Sequence, residues 1–313
     1  MKGLVSNEVF AFAAIYVLWG STFLAIRIAV LEFPPFLTAA LRFGMAGTIL
    51  YAVMRARGQP RPSLRQWRGL CLIGLLMFVL TYGPLFWAEQ YVTSSMTSVI
   101  EATLPITTIV LEVFAFRTQR LNWRLATGVG LGFAGVVLLM AHNEAQHLAL
   151  IPCLVILASG LAWSLGAVLS GRLTLPASRP LAAGAQMMLG GTGLLVASAL
   201  SGELHPLPHL SAHAAYAIVY LVIFGSLIAY TAYVWLLGRY SVTQVSSHAY
   251  INPVVAMALG YFIAGDVITV RSVFASSLIV ISVVLILTGG AKGKASFVSR
   301  AAEAKRDLFS GTP

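Results

Sequence analysis

Ten apolar runs, each about as long as a bilayer's hydrocarbon core is thick, follow one another along this chain with short polar breaks between them. They lie at 8–30, 35–54, 67–88, 93–117, 123–141, 148–171, 179–200, 214–237, 242–264 and 270–289. Backbone groups in lipid must bond within their own segment, so runs of this length are helices. The expected fold class is an all-α integral membrane protein with ten transmembrane helices. Composition agrees: 58% of the residues are hydrophobic and only 10% charged, against about a quarter charged in soluble domains. A water-soluble globular protein is excluded, and so is a disordered chain, which needs low hydrophobicity and high charge. The first run is too long for a signal-peptide core and lacks a strongly basic start, so it is expected to be retained.

The net charge of +10 would point to nucleic acid in a soluble protein. Here the placement of the charges decides. One set of connections holds Arg55, Arg57, Arg61, Arg65 and Arg68, then Arg117, Arg120 and Arg124, then Arg172 and Arg179, then Arg239. Lys2 and the tail residues Lys292, Lys294, Arg300, Lys305 and Arg306 fall on the same side. The opposite set holds Glu32, Glu89, Glu144, Glu203 and Asp266, with Arg271 as its single Lys or Arg. Membrane proteins concentrate Lys and Arg on the cytoplasmic side. Both termini are therefore expected in the cytoplasm, as an even number of spans also requires. The basic surplus reads as topology, and no nucleic-acid partner is expected. Cys71 and Cys153 form no CxxC or metal-ligand spacing and read as small buried hydrophobes.

The two halves match in order. Trp19 corresponds to Trp163, Pro35 to Pro180, Trp87 to Trp235, Pro105 to Pro253 and Arg124 to Arg271. The runs Val136-Val137-Leu138-Leu139 and Val283-Val284-Leu285-Ile286 close each half. Each half holds five spans, an odd number, so the second enters the membrane from the other side. The expected organisation is a five-helix repeat at 8–141, an inverted five-helix repeat at 148–289, and a polar cytoplasmic tail at 290–313. Inverted repeats underlie alternating access in many secondary transporters, whose substrate sites lie near the midplane beside broken helices.

The stretches "YVLWGSTFLAIRIAV", "PPFLTAALRF" and "SSHAYINPVVAMALGYFIAGD" resemble the EamA-type branch of the drug/metabolite transporter superfamily, and within it the YedA-like group of exporters. The resemblance covers roughly residues 9–289 and includes the five-plus-five repeat. It implies ten helices, both termini inside, a bacterial inner-membrane location, and export of small metabolites such as amino acids, often in exchange for protons. Its motifs identify the fold and leave the substrate open. Direction of transport is likewise taken from the resemblance.

Several residues are candidates for the work of transport. Pro105 and Pro253 fall at the centres of the fourth and ninth spans. Proline removes an amide donor and disturbs the preceding turn, so they read either as tolerated kinks or as hinges beside a substrate cavity. On the fourth span Ser94, Thr97, Glu101, Pro105, Thr108 and Glu112 recur every three or four residues and line one face. Glu112, close to Arg117, reads as an interfacial residue reaching water. Glu101 lies near the bilayer centre, and Arg42 on the second span lies at nearly the same depth. A buried charge costs several kcal/mol and is normally paired, so an Arg42–Glu101 pair is the natural expectation. That pair reads either as a permanent structural contact or as a site where Glu101 exchanges a proton and Arg42 meets a substrate carboxylate. The resembling family does not generally carry a carboxylate at position 101, so a coupling role would be particular to this chain's relatives. Arg27, near the outer end of its helix, is expected to snorkel to water.

Trp19, Trp163, Tyr82, Tyr230, Tyr233 and Tyr250 are amphipathic aromatics away from the interfacial belts. They read as packing or as the lining of a cavity suited to an amino acid or an aromatic or cationic metabolite. His248, with Gln244 and Asn252 one turn to either side, marks a second polar face, structural or titrating. Small residues recur every fourth position at Ala40, Gly44 and Thr48, at Gly128 and Gly132, and at Ala158, Ala162, Gly166 and Ser170. They are read as packing inside a monomer, with a dimer left open. No HExxH, GxSxG or P-loop is present, so no enzyme, metal, cofactor or nucleotide-driven pump is expected. The partners expected are a small-molecule substrate, protons and the lipid bilayer. A secondary active exporter working by alternating access is the main reading; a cation-selective channel or facilitative uniporter is the alternative.

Overall fold

A computed structural model describes residues 2–140, 149–205, 209–259 and 269–289. The tail at 290–313, Glu144, Asp266 and the end of the ninth run lie outside the described residues. The chain is an all-α membrane protein. Its spans are α1 (Lys2–Glu32), α2 (Pro35–Ala56), α3 (Leu64–Ala88), α4 in two pieces (α4a, Ser94–Glu101; α4b, beginning as Leu104–Val110 and continuing through Leu111–Ala115), and α5 (Trp123–Met140). The second half repeats them as α6 (Leu150–Ser170), α7 (Arg179–Leu200), α8 (Ala212–Leu236), α9 in two pieces (α9a, Val242–Ser246; α9b, His248–Leu259) and α10 (Val270–Gly289). Seven segments among the described residues are long and apolar enough to cross a bilayer, and two shorter apolar helices fall within α5 and α10.

Short polar residues start the helices. Ser63, Thr93, Ser178, Ser211 and Ser241 each accept a backbone N–H of the first turn, at α3, α4a, α7, α8 and α9a. Ser63 with Gln66 and Ser241 with Gln244 complete reciprocal capping boxes. Pro35 and Pro180 stand in the first turns of α2 and α7, where a missing N–H costs nothing.

The packing exchanges the two halves. α1 lies against α8 and α9, and its counterpart α6 lies against α3 and α4; α2 packs directly on α7, and α5 on α10. This is the contact pattern of a five-plus-five inverted repeat. Two carboxylates tie the halves at their ends. Glu203, of the second repeat, accepts the N–H groups of Phe36 and Leu37 at 3.2 and 2.8 Å and so caps α2. Glu112, of the first, accepts Val242 N at 3.2 Å, Thr243 N at 2.8 Å and Thr243 Oγ1 at 2.7 Å and so caps α9a. Glu112 is thus a buried helix cap rather than an interfacial side chain reaching water, because the unsatisfied N–H groups and positive end of a helix attract a carboxylate more strongly than an exposed Arg117 does.

The α2–α7 and α5–α10 seams are made by close backbone approach. A Cβ added at Gly191 would fall on the backbone of Gly44 and one at Gly47 on the backbone at Met188, whereas a Cβ at Gly44 meets nothing within 4 Å. Gly132 likewise lets Tyr250 and Ser282 reach α5. Gly44→Ala is therefore expected to leave the melting temperature unchanged, while Gly191→Ala is expected to destabilise by at least the ~1–3 kcal/mol typical of overpacking. Thermal unfolding of the two detergent-purified variants checks the contrast. The cysteines differ from one another: Cys153 is half-buried, but Cys71 is exposed, since its face of α3 is turned away from the bundle.

Candidate functional site

Proline explains the first helix break. Pro105 has no N–H to give the carbonyl of Glu101, and its ring crowds that carbonyl. α4a accordingly ends at Glu101, a turn follows at Ala102 and Thr103, and α4b starts with Pro105 in its first turn. The second repeat breaks at Ser247, between α9a and α9b. Pro253 lies inside α9b, six residues beyond that break, so the two prolines do not occupy equivalent places. The breaks set Glu101 at the end of one half-helix and His248 at the start of another.

Both residues line one small, partly open cavity, walled also by Trp19, Tyr82, Trp163 and Asn252. The rings form a continuous assembly. Trp19 and Trp163, equivalent in the two repeats, meet edge to face with centroids 5.6 Å apart. Tyr233 lies 5.1 Å from each of them. His248 lies 4.7 Å from Trp19, and Tyr82 5.8 Å from Trp163. Tyr230 continues the cluster behind Trp163, with its hydroxyl donating to Gln186 Oε1 at 2.8 Å. Tyr230 and Gln186 also line a second cavity of about 340 Å³, with Arg179 and Met77, nearer the basic ends of the helices.

Irregular backbone supports this assembly. α3 winds as a π-helix over Leu75–Val79 and α8 over Leu221–Ile228, at equivalent places in the repeats. Such turns loosen the regular hydrogen-bond ladder and are frequent at functional sites. In α8 the Gly225 carbonyl accepts Trp19 Nε1 at 2.9 Å, and Ser226 Oγ accepts Arg42 Nε at 3.0 Å.

Arg42 is only 1% exposed. Its guanidinium carbon lies 4.6 Å from the Phe43 ring centroid and 5.1 Å from that of Tyr82, and Nη1 has no hydrogen-bond partner among the described residues. The expected Arg42–Glu101 ion pair is not formed. Equal depth did not bring them together because the Tyr82 ring, a wall of the cavity, takes the guanidinium through its face. Glu101 is 8% exposed, with Oε1 unpartnered in the cavity and near Gly160, whose missing side chain leaves it room.

His248 Nδ1 lies 2.9 Å from the Val245 carbonyl; a carbonyl only accepts, so Nδ1 carries the proton. Asn252 Oδ1 is buried without a partner. Gln244 leaves the expected polar face: its side chain serves the α9a cap and the Leu287 carbonyl. Tyr250 also leaves the cavity. Its hydroxyl donates to Val129 O at 2.9 Å and its ring lies against Gly132 on α5, because two residues along a helix from His248 is the opposite face. Tyr250→Phe is therefore expected to cost about 1 kcal/mol of stability and to leave transport kinetics unchanged, as a transport assay paired with a melting curve would read. Thr108 ties α4b to Ser164 on α6 at 3.0 Å and to Ser246 on α9a at 3.3 Å, the interhelical bonding its stripe allowed.

Two groups at the acidic end escaped the sequence reading. Arg27 does not snorkel: Nη1 donates to the carbonyls of Glu89 and Val92, which end α3 and the turn after it. Glu89, placed by sequence in a loop, is fully buried beside it. An acid immediately after an apolar run looks like a loop residue, and nothing local marked it as covered by its neighbours.

Comparison with known proteins agrees with this architecture. A solved crystal structure superposes with a TM-score of 0.71 at 21% identity, covering 96% of this chain and 99% of that one. The inner membrane transporter YedA of Escherichia coli K12 is 37% identical over 284 residues, 89% of this chain and 90% of its own. A probable amino-acid metabolite efflux pump of the same organism is 23% identical over 292 residues, 88% of this chain and 90% of its own. The EamA-like transporter family matches twice, at residues 7–141 and 150–288, one match for each five-helix half. With two matched copies and a relative above a third identical along nearly its whole length, the chain belongs to the EamA-like transporter family.

Proposed function

We propose that this protein is a secondary active exporter that moves a small amphipathic metabolite, an amino acid or a related aromatic or drug-like compound, across the bacterial inner membrane in exchange for protons. The observation that carries the reading is Glu101. It is a carboxylate with an unpartnered oxygen, at a helix break, in a largely apolar cavity that holds Trp19, Tyr82 and Trp163 and is lined by both repeats. The cavity's rings offer flat apolar contact, and Glu101, His248 and Asn252 offer the few polar groups that orient a ligand. Similarity to an amino-acid efflux pump supports that substrate class.

In this mechanism a protonated Glu101 lets the cavity close around an apolar side chain. A deprotonated Glu101 attracts the ammonium group of an amino acid. Proton and substrate then compete for one carboxylate, which is what obligatory exchange requires. The half-helices α4a and α9b change angle about the Trp19–Trp163 contact, opening the cavity first to one side and then to the other. The arginine-rich connections face the cytoplasm, with both termini there. The reading is tested by ligand-induced thermal stabilisation of purified protein with L-phenylalanine, L-leucine, L-threonine and a quaternary ammonium. A zwitterionic amino acid is expected to raise the melting temperature at a lower concentration than the cation. Stabilisation by none of the amino acids contradicts the assigned class.

A further inference from the structure

The carboxylates that hold this fold together share one arrangement. Glu112 and Glu203 each accept two backbone N–H groups at a helix start. Glu89 does not follow it. It is 0% exposed, yet neither carboxylate oxygen makes a hydrogen bond of ordinary geometry. A buried carboxylate that is always charged is held by donors or a direct ion pair. Arg27, the nearest cation, spends Nη1 on the carbonyls of Glu89 and Val92.

The charged and titratable groups around Glu89 come from three helices. Arg27 belongs to α1, Arg42 to α2, and Glu101 to α4a, where the Thr97 hydroxyl also stands beside the carboxylate. The α6 residues packed at this end of α3, Ile156, Cys153 and Val155, carry no charge. Thr97 and Glu101 are four residues apart on α4a and so share a face, and Thr97 is itself fully buried. Glu89, at the end of α3, is closer to the acidic ends of the helices than the cavity that holds Glu101.

We infer that Glu89 is a second proton-carrying group, in series with Glu101, on the acidic-end side of the cavity. The inference rests on the proton exchange proposed above for Glu101. A proton arriving from the acidic end binds Glu89 first. The Thr97 hydroxyl, which donates to Thr93 O at 3.2 Å, turns to give its proton to the Glu101 carboxylate and takes the Glu89 proton in return. Glu89 is left as a carboxylate, Glu101 becomes a carboxylic acid, and one proton has moved with no other bond changed. Arg27 and Arg42 offset the negative charge that shifts between the two acids.

Infrared difference spectroscopy of the full-length protein in lipid, after a rapid acid jump, tests this without any substrate. Wild type is expected to show two rising bands of protonated buried carboxyl groups. Glu89→Gln should remove one band and slow the other by about tenfold, a barrier increase of about 1.4 kcal/mol. Glu89→Asp should restore both. Glu101→Gln should remove the other band without slowing the first. If Glu89→Gln removes no band, or removes one and leaves the Glu101 rate unchanged, the series assignment is overturned. If Glu101→Gln removes no band, the reading of Glu101 fails instead, and the two failures are distinguishable. Should Glu89→Gln not fold, Thr97→Val carries the test: both bands remain and the Glu101 band slows, whereas an unchanged rate overturns the path.

Discussion

Glu101→Gln is expected to abolish proton-driven transport while leaving exchange of substrate for substrate. The glutamine keeps the size and one carbonyl oxygen of the acid but cannot release a proton in the working pH range. Its neighbours are rings and small residues, with Gly160 leaving space beside Oε1, so the fold has little reason to change. In proteoliposomes with an imposed pH gradient, accumulation should fall to the level seen without a gradient, at every pH tested. Exchange across liposomes at equal pH moves no net proton and should persist at a raised KM, because the variant lacks the charge that attracts the substrate ammonium. If accumulation still follows the gradient in the variant, Glu101 does not couple. If both modes vanish together even at saturating substrate, Glu101 is needed for the fold or for binding itself, and competition with a proton is not its role.

Arg42→Met is expected to make the protein more stable and less active. The guanidinium is 1% exposed, makes one side-chain hydrogen bond to Ser226, and has no carboxylate within ion-pair distance among the described residues. A charge at the bilayer centre costs about 2.5–3.5 kcal/mol on insertion scales. Against this stand one hydrogen bond to a charged group, about 1.5–3 kcal/mol, and ring contacts worth about 2 kcal/mol when desolvated. The comparison is close for the charge alone. Replacing buried ionic groups by apolar ones of similar volume often stabilises by about 1–4 kcal/mol. Methionine fills irregular space well and keeps a sulfur contact with the rings. The melting temperature should therefore rise. Transport should fall about tenfold or more, because Arg42 fixes the Tyr82 wall and links α2 to the π-helical turn of α8. A lower melting temperature would show that the ring contacts outweigh burial of the charge and that Arg42 is chiefly structural.

Much of the architecture was legible because a bilayer leaves a chain few choices. Long apolar runs had to be helices, and the paired Trp19 and Trp163 had to be equivalent if the repeat was real; the structure brings those two rings together. The break in α4 was legible from Pro105, since a missing N–H acts on its own turn. The break at Ser247 was not, because it precedes Pro253 by six residues and no residue there forbids a helix. The π-helical turns in α3 and α8 left no mark in composition either, although the one in α8 receives Trp19 and Arg42. Depth placed Arg42 and Glu101 on one level but gave no direction around the bundle, and Tyr82 stands where the ion pair was expected. Tyr250 shows the opposite case. Its angular distance from His248 was available from helical geometry and excluded a shared face. Glu112 and Glu89 were misplaced for one reason: near a helix end, exposure depends on which neighbouring helix covers it, and that is a property of packing.

Substrate counterflow combined with conductance in wild-type proteoliposomes tests the central claim, an alternating-access carrier, most directly. Labelled amino acid outside should enter faster when unlabelled amino acid fills the liposomes, should saturate with concentration, and should leave ionic conductance at the protein-free baseline. Current that rises linearly with concentration, without acceleration by internal substrate, would contradict the account and identify a channel instead.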